Sequence, residues 1–428
     1  MSTPLSQQLG AGRALPRLLF VTHRRALDAR IGARGASAVI DLLHTANDQR
    51  PRAQRHVIVE HLGVSLLDRP QVLAEVHAAL RENAVEGVVL LGGYDVVPTM
   101  RFDCLPPWLR TWADAQPLDA DDADDWTVWC DDPYGDPLNT GLPEIPVTRI
   151  PDGCSMDLML AALRAPVATQ VRRRGMRNVR RPFADEVFAE LPGDASLLVS
   201  APRHASGLAE SALRGSHVYL MLHGRYDVGG ALWGERQSLA SQAEESEAGE
   251  AAEGDGTPSA TESATVTVPL DISVTFEHRQ IARVAAGMVT AVECAHMPGD
   301  GAVILSGCCW SAGVAASTAR RWQRVGAPKA RRAGNSIALA ALRDGARAFV
   351  GSTGTNYSPL NRDDRFYCAP MHVEFWQQVV AGQAPARALL IAKHRYASGM
   401  PHGRRDDWGS LAIEHKTLHQ YTCLGLGW

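Results

Sequence analysis

Short apolar runs and amphipathic stretches alternate through the first 150 residues. Leu18-Leu19-Phe20-Val21 and Val57-Ile58-Val59 are continuous apolar runs of strand length, the pattern of strands buried on both faces. From Pro70 to Asn83 the apolar positions Val72, Val76 and Leu80 recur every four residues, which predicts a helix, and Pro70 suits a first helical turn. Val88 to Leu91 predicts another strand, closed by Gly92-Gly93. Strands alternating with helices predict a parallel sheet with helices on its faces.

Residues 99–140 break the rhythm. They are rich in Pro, Trp and Asp, with aspartates at 119, 121, 122, 124, 125, 131, 132 and 136. They predict a long irregular segment of the functional or disordered kind. A strand from Ile145 to Ile150 and a helix from Ser155 to about Leu163 follow. Arginines at 172, 173, 174, 177, 180 and 181 then read as a solvated linker between subdomains, with a nucleic-acid or acidic-partner contact as the alternative.

A second alternating unit comes next. Strands are predicted at Ser196–Ser200, Val218–Leu222, Ala302–Leu305 and Ala346–Val350, and helices at Gly207–Arg214 and Asn335–Arg343. Two of these strands end in reactive residues: the third-last strand in His223-Gly224, the next in Ser306-Gly307-Cys308-Cys309. Between them lies Gln237 to Thr265, dominated by Glu, Ser, Ala and Gly, with no Lys or Arg from 237 to 278. Such a stretch buries little apolar surface and is expected to be mobile. The chain therefore divides into a tail at 1–16, an α/β subdomain at 17–151, and a subdomain at 152–428 carrying the acidic insertion at about 237–265.

Composition narrows the function. At 428 residues the chain exceeds one ordinary core. A formal charge of −4 argues against a nucleic-acid binder. No apolar run approaches the roughly 18 residues of a membrane span, and the start has no signal-peptide core, so the cytoplasm is the expected location. Eight cysteines without a C-x-x-C pair are expected as reduced thiols, with no metal site and no cofactor.

In parallel sheets, functional groups gather at the carboxyl ends of strands. A cysteine there needs thiolate character, supplied by an imidazole or a helix N-terminus, and acyl transfer needs N–H donors for its oxyanion. Gly224 and the turn after Ser306 suit that task. Alone, a strand-end His is commonly structural and a buried Cys commonly a small hydrophobe; together and in order they point to cysteine-based acyl transfer.

The strings carry a family resemblance. Tyr219-Leu-Met-Leu-His223-Gly224 resembles the strand and His-Gly of caspase-like cysteine peptidases, and Val303-Ile-Leu-Ser-Gly-Cys308 their nucleophile strand, especially that of CHAT-type peptidases. Ala346-Arg-Ala-Phe-Val-Gly-Ser352-Thr353, with Tyr357-Ser358-Pro359, is similar to the strand and substrate-side loop after the gingipain nucleophile. Leu91-Gly-Gly-Tyr-Asp95-Val-Val-Pro98, Asp132-Pro-Tyr-Gly135 and Glu144-Ile-Pro-Val-Thr-Arg149-Ile150 are similar to three landmarks of the gingipain N-terminal subdomain. The resemblance implies a caspase–hemoglobinase fold, a mostly parallel sheet flanked by helices, with a gingipain-like N-terminal α/β subdomain. It also implies a cysteine endopeptidase acting on protein or peptide substrates. Cys308 would attack the scissile carbonyl, His223 would protonate the leaving amine, and the N–H groups of Gly224 and Cys308 would hold the oxyanion. Ser352, Thr353 and Tyr357 would lie on the substrate side.

The sequence also departs from that pattern. Relatives specific for Arg or Lys carry an acidic residue two positions before the nucleophile, where this chain has Ser306. Asp131 or Asp132 is a substitute candidate, with loop capping as its alternative role; Arg203 would favour an acidic side chain instead. Counting from the strand end selects Cys308, whereas counting back from Ser311 and Gly313 selects Cys309. The basic stretch Ala319 to Asn335 follows the nucleophile, reads as an exposed loop open to proteases, and suggests latency lifted by an activating protease or regulatory protein. The competing class is a catalytically idle caspase-like scaffold. A flavodoxin-like nucleotide binder is disfavoured, since no Gly-rich phosphate loop follows a strand.

Overall fold

The computed structural model describes residues 8–62, 65–66, 68–115, 122–235, 288–320, 329–357, 366–400 and 408–428. The expected acidic insertion lies outside them.

Strands from both sides of residue 151 enter one ten-stranded sheet. Its first block contains β1 (Leu18–Val21), β2 (Val57–Val59), β3 (Gly87–Leu91) and β6 (Val147–Ile150), in the order β2-β1-β3-β6 and all parallel. Its second block contains β7 (Arg173–Asn178), β8 (Leu198–Ser200), β9 (His217–Met221), β12 (Val303–Ser306) and β13 (Ala348–Ser352), also parallel throughout, in the order β13-β12-β9-β7-β8. The last strand, β14 (Tyr421–Leu424), runs antiparallel to β13 and fills the gap between the blocks. It meets β6 at a single pair, Leu424 and Arg149, whose local pattern is parallel.

Longer contacts set the direction of one block against the other. Beyond the carboxyl end of β3, the Tyr94 ring lies 5.6 Å from that of Trp129, and the Trp129 carbonyl accepts from Thr353 Oγ1 (2.6 Å) at the carboxyl end of β13. At the opposite edge a Cβ on Gly87, the first residue of β3, would strike the Trp428 ring, and the Trp428 carbonyl accepts from Arg347 Nε (3.0 Å) just before β13. Both blocks therefore end their strands along one edge.

Alternation along the strands sorts the core into two layers. Val218, Leu220, Leu222 and Ile304 join α1 (Arg24–Asp48), α2 (Arg69–Glu82), α4 (Met156–Arg164) and α6 (Ile337–Arg343), which is buried from Ile337 to Leu342. Tyr219, Met221, Val303 and Leu305 join α5 (Ala184–Ala189), α7 (Ala369–Val380) and α8 (Pro385–Gly399) on the other face. The helix starts follow their sequence signals: Asp68, Ser155 and Ser336 accept the first-turn N–H groups of Gln71, Leu158 and Leu339. The result is a mostly parallel α/β sheet with helices on both faces.

Three expectations change. The 99–140 segment is not structureless: it holds β4 (Met100–Asp103) paired antiparallel with β5 (Thr127–Cys130), and between them α3 (Pro107–Asp114). The arginine run is not a linker. It is β7, inside the sheet between β9 and β8, with Arg173 stacked on Phe188 and capping the Ala195 and Leu191 carbonyls. The Gly207–Arg214 helix is replaced by turns and a single 3₁₀ turn at Ala205–Gly207.

Candidate active site

Because β3 and β6 are parallel, the chain between them must cross from one sheet edge to the other, and it does so over the carboxyl edge. Buried ion pairs fix this crossing. Asp131 makes a bidentate pair with Arg149 (both contacts 2.7 Å), whose remaining nitrogen donates to Gly92 O (2.9 Å) and Val97 O (2.8 Å). Asp132 pairs with Lys393, and Asp122 and Asp124 pair with Lys416 of α9 (Trp408–Gln420).

Beneath this cover, β9 and β12 are neighbours in register, with Leu220 opposite Ser306. Their extensions, Leu222-His223-Gly224 and Gly307-Cys308-Cys309, therefore emerge side by side. The Leu222 N–H donates to Cys308 Sγ (3.1 Å), which in turn points at the Leu220 carbonyl (3.7 Å). Gly224 packs so closely on Cys309 that a Cβ would collide with the Cys309 carbonyl oxygen. Only glycine fits there.

The imidazole of His223 is held from the other side. Arg181 Nη2 donates to Nδ1 (3.1 Å), and its Nη1 donates to the Leu222 carbonyl (2.7 Å). Glu235, at the end of β10 (Ala231–Glu235), places Oε1 3.3 Å from Nε2. The hairpin of β10 with β11 (Met288–Glu293) sets that position, since His223 and Trp233 exchange backbone hydrogen bonds of 2.8 and 3.0 Å. Burial, then the Arg181 charge, lowers the His223 pKa, and Glu235 works against both. Among the described residues no hydrogen bond joins this imidazole to either thiol.

Cys308 is fully buried with Ile304 and Leu222, and burial pushes its thiol up to about 11. Its N–H donates to Ser306 Oγ (3.4 Å). Cys309 is half-buried, its sulfur set between the Asn356 N–H (3.3 Å) and C=O (3.4 Å), and burial raises its pKa too. The next residue, Trp310, has a left-handed φ of 49°, uncommon for a bulky side chain. Its N–H to Gly354 O (2.9 Å) and its indole to Asp124 Oδ1 (3.0 Å) hold it there.

The five positions read as substrate-side are engaged internally. Asp131 and Asp132 are ion-pair partners of Arg149 and Lys393. The Ser352 hydroxyl lies between Gly354 O (2.7 Å) and Gln420 Oε1 (3.0 Å), Thr353 donates to Trp129, and Tyr357 donates to Asp122 (2.5 Å). Of the basic stretch 319–335 that follows Cys308 and Cys309, residues 321–328 lie outside the described residues, and the rest is exposed only in part. The Ala316 N–H donates to Lys329 O and the Arg331 N–H to Val314 O (both 2.9 Å), and the Arg331 side chain is buried. Arg181 and Glu235 escaped the sequence reading, the first hidden in the arginine run and the second placed only by the hairpin.

All eight cysteines are free thiols, and among the described residues no group of three or more His, Cys, Asp or Glu is arranged to hold a metal ion. No described helix is long and apolar enough to cross a membrane. No family model matches the chain, and no curated protein does. A solved structure described as "Structure of Protease" aligns over 97% of this chain and 78% of its own, at 12% identity and a TM-score of 0.48.

Proposed function

We propose that the protein is a caspase-like cysteine peptidase in a resting state, with Cys308 as nucleophile and His223 as its acid–base partner. The observation that carries this reading is the junction of the two strand ends: Leu222 N–H on Cys308 Sγ at 3.1 Å, and Gly224 against Cys309. In the proposed reaction His223 takes the thiol proton and the sulfur attacks the peptide carbonyl. The oxyanion rests on the Gly224 and Cys308 N–H groups. His223 then gives the proton to the leaving amine, and water hydrolyses the thioester. Reaching that state requires the Gly307–Cys309 turn to release Sγ from the β9 backbone and the Cys308 N–H from Ser306.

The protonated, enclosed thiol and the occupied imidazole favour one second reading, the idle scaffold that binds protein partners. Labelling with an acyloxymethyl ketone probe, which alkylates a catalytic thiolate, separates the two. The expected result is labelling of the wild type and of Cys309→Ala, and none of Cys308→Ala. Labelling lost only in Cys309→Ala would move the nucleophile by one residue. No labelling of a folded wild type at any pH from 6 to 9 would favour the scaffold.

A further inference from the structure

The nucleophile turn is fastened along one side to the chain beyond β13. The Trp310 N–H donates to Gly354 O and the Ala312 N–H to Ser352 O (both 2.9 Å), while Cys309 Sγ lies between the N–H and C=O of Asn356. Gly307, on the other side of the nucleophile, is held by the same residue: Asn356 Nδ2 donates to its carbonyl at 2.7 Å. Cys308 faces the opposite way, with Sγ on the β9 backbone and its N–H on Ser306.

Asn356 is buried, and both ends of its carboxamide are engaged twice. Nδ2 also donates to the Tyr421 hydroxyl (2.9 Å), and Oδ1 accepts from Gln420 Nε2 (3.2 Å) and Cys368 Sγ (2.7 Å). The Gly307 carbonyl can only accept, which fixes the orientation of the amide. Gln420 and Tyr421 stand where α9 gives way to β14, and Cys368 precedes α7, so separate elements hold this one group. The Tyr421 hydroxyl lies 2.8 Å from Nε2 of His372, whose ring stays neutral because burial lowers its pKa to about 3. A buried amide bonded on every side is stiff. Aspartate, of the same shape, has no hydrogen to give Gly307 when ionised, and alanine offers neither donor nor acceptor.

The proposed reaction requires Cys308 to leave the β9 backbone while its neighbours stay in place to aim it. We propose that Asn356 is the positioning residue of the nucleophile: it fixes Gly307 and Cys309 as the two pivots about which Cys308 turns toward the substrate carbonyl. The inference rests on the peptidase reading of Cys308.

Two measurements on the full chain test it. Saturation kinetics with the acyloxymethyl ketone probe separate the limiting rate of labelling from the half-saturating concentration. Asn356→Asp and Asn356→Ala should lower the limiting rate about 10- to 100-fold, the scale of a misplaced reacting group, with little change in half-saturation. Asn356→Ala strands no charge and carries the test if Asn356→Asp does not fold. Val76→Ala, a truncation of the buried face of α2, controls for lost stability and should leave both constants close to those of the wild type. The second measurement is alkylation by iodoacetamide with peptide mapping, which needs no activity. There Cys309 should react several-fold faster in the Asn356 variants than in the wild type or Val76→Ala, because its sulfur is no longer clasped. Aimed attack slows while plain access rises, a pair of changes that lost stability alone does not produce. Wild-type limiting rates in folded Asn356 variants, equal slowing in Val76→Ala, or a Cys309 no more reactive than before would overturn the proposal. A wild type that the ketone leaves unlabelled would overturn the peptidase reading and the catalytic sense of this assignment with it; the alkylation result then tells separately whether Asn356 holds the turn.

Discussion

Arg181 and Glu235 decide which proton His223 carries. A guanidinium only donates, so Nδ1 facing Arg181 at 3.1 Å must present its lone pair, and the neutral ring holds its hydrogen on Nε2 toward Glu235. The two neighbours also pull its pKa in opposite directions: Arg181 adds to the lowering caused by burial, and Glu235 raises it. Arg181→Gln should therefore raise the His223 pKa and Glu235→Gln should lower it further. Imidazole nitrogen shifts followed by NMR across pH 4–8 would read both. If His223 serves a peptidase, the acid limb of its pH–rate profile should move the same way in each variant. A shift in the same direction in both variants would show that these contacts do not control the ring. Neither residue was legible in the sequence as a partner of His223, since Arg181 stands 42 positions before it and Glu235 is brought in by a tertiary hairpin.

Among the elements, legibility tracked locality. β1, β3, β9 and β12 are apolar runs whose burial follows from their own composition, and they form within a residue or two of where the pattern places them; β2 forms at its predicted place too, but as the edge strand it is only partly buried, not covered on both faces as its composition predicts. The cover over the carboxyl edge is different, because its polar residues are buried against partners far along the chain. Asp122 and Asp124 meet Lys416 almost 300 residues later, and Asp132 meets Lys393. No local pattern distinguishes such carboxylates from solvated ones. β7 was hidden for a related reason: its arginines find carbonyls, the Phe188 ring and Asp185, while Gly175, Met176 and Asn178 are its buried positions, divided between the two faces of the sheet. Lys416 joins the cover to the site, because Asp124 also holds the Trp310 indole and accepts from the Thr355 N–H (2.5 Å). Burial opposes the Lys416 charge, but Asp122 and Asp124 outweigh it and raise its pKa. Lys416→Met would strand two buried carboxylates, and the expected loss is about 3–5 kcal/mol in urea unfolding at pH 7. The loss should shrink on acidification, since burial already raises the pKa of Asp122 and the unpaired group takes up a proton more readily still. A variant within about 1 kcal/mol of the wild type at pH 7 would show that packing, not this cluster, fixes the cover.

For the whole molecule, one continuous sheet makes a single stability out of parts that the sequence divides at residue 151, and buried histidines spread across it tie that stability to pH. His56 lies at the amino edge, His372 on α7, and His419 under the cover near Phe102. Burial above all lowers them from 6.5 to about 4, about 3 and about 3 respectively. Each folded-state pKa lies below the unfolded value, so at pH between the two the unfolded chain binds more protons. Stability is then fully present above about pH 6.5 and falls as pH drops toward 4. One pH unit is worth about 1.4 kcal/mol for each such group, so the three together remove about 4 kcal/mol per unit. Asp95, Asp122 and Asp132, raised by burial, act in the opposite sense and make the slope shallower. These carboxylates act over the range between their ordinary and their raised values, so they return part of what the histidines remove and the net fall is smaller than the histidines alone would give. Against a total of roughly 5–15 kcal/mol, the protein should lose several kcal/mol between pH 7 and 5 and unfold near pH 4–5. Urea midpoints at half-unit steps would measure this. His372→Phe should flatten the slope by about a third, because that ring touches Tyr219, Phe366 and Tyr421 and has room for an aromatic replacement, at the loss of its bonds to the two tyrosine hydroxyls. A stability that stays level from pH 7 to 5 would mean that these rings are protonated in the fold or reach water, and that the interior is not sealed as its geometry implies.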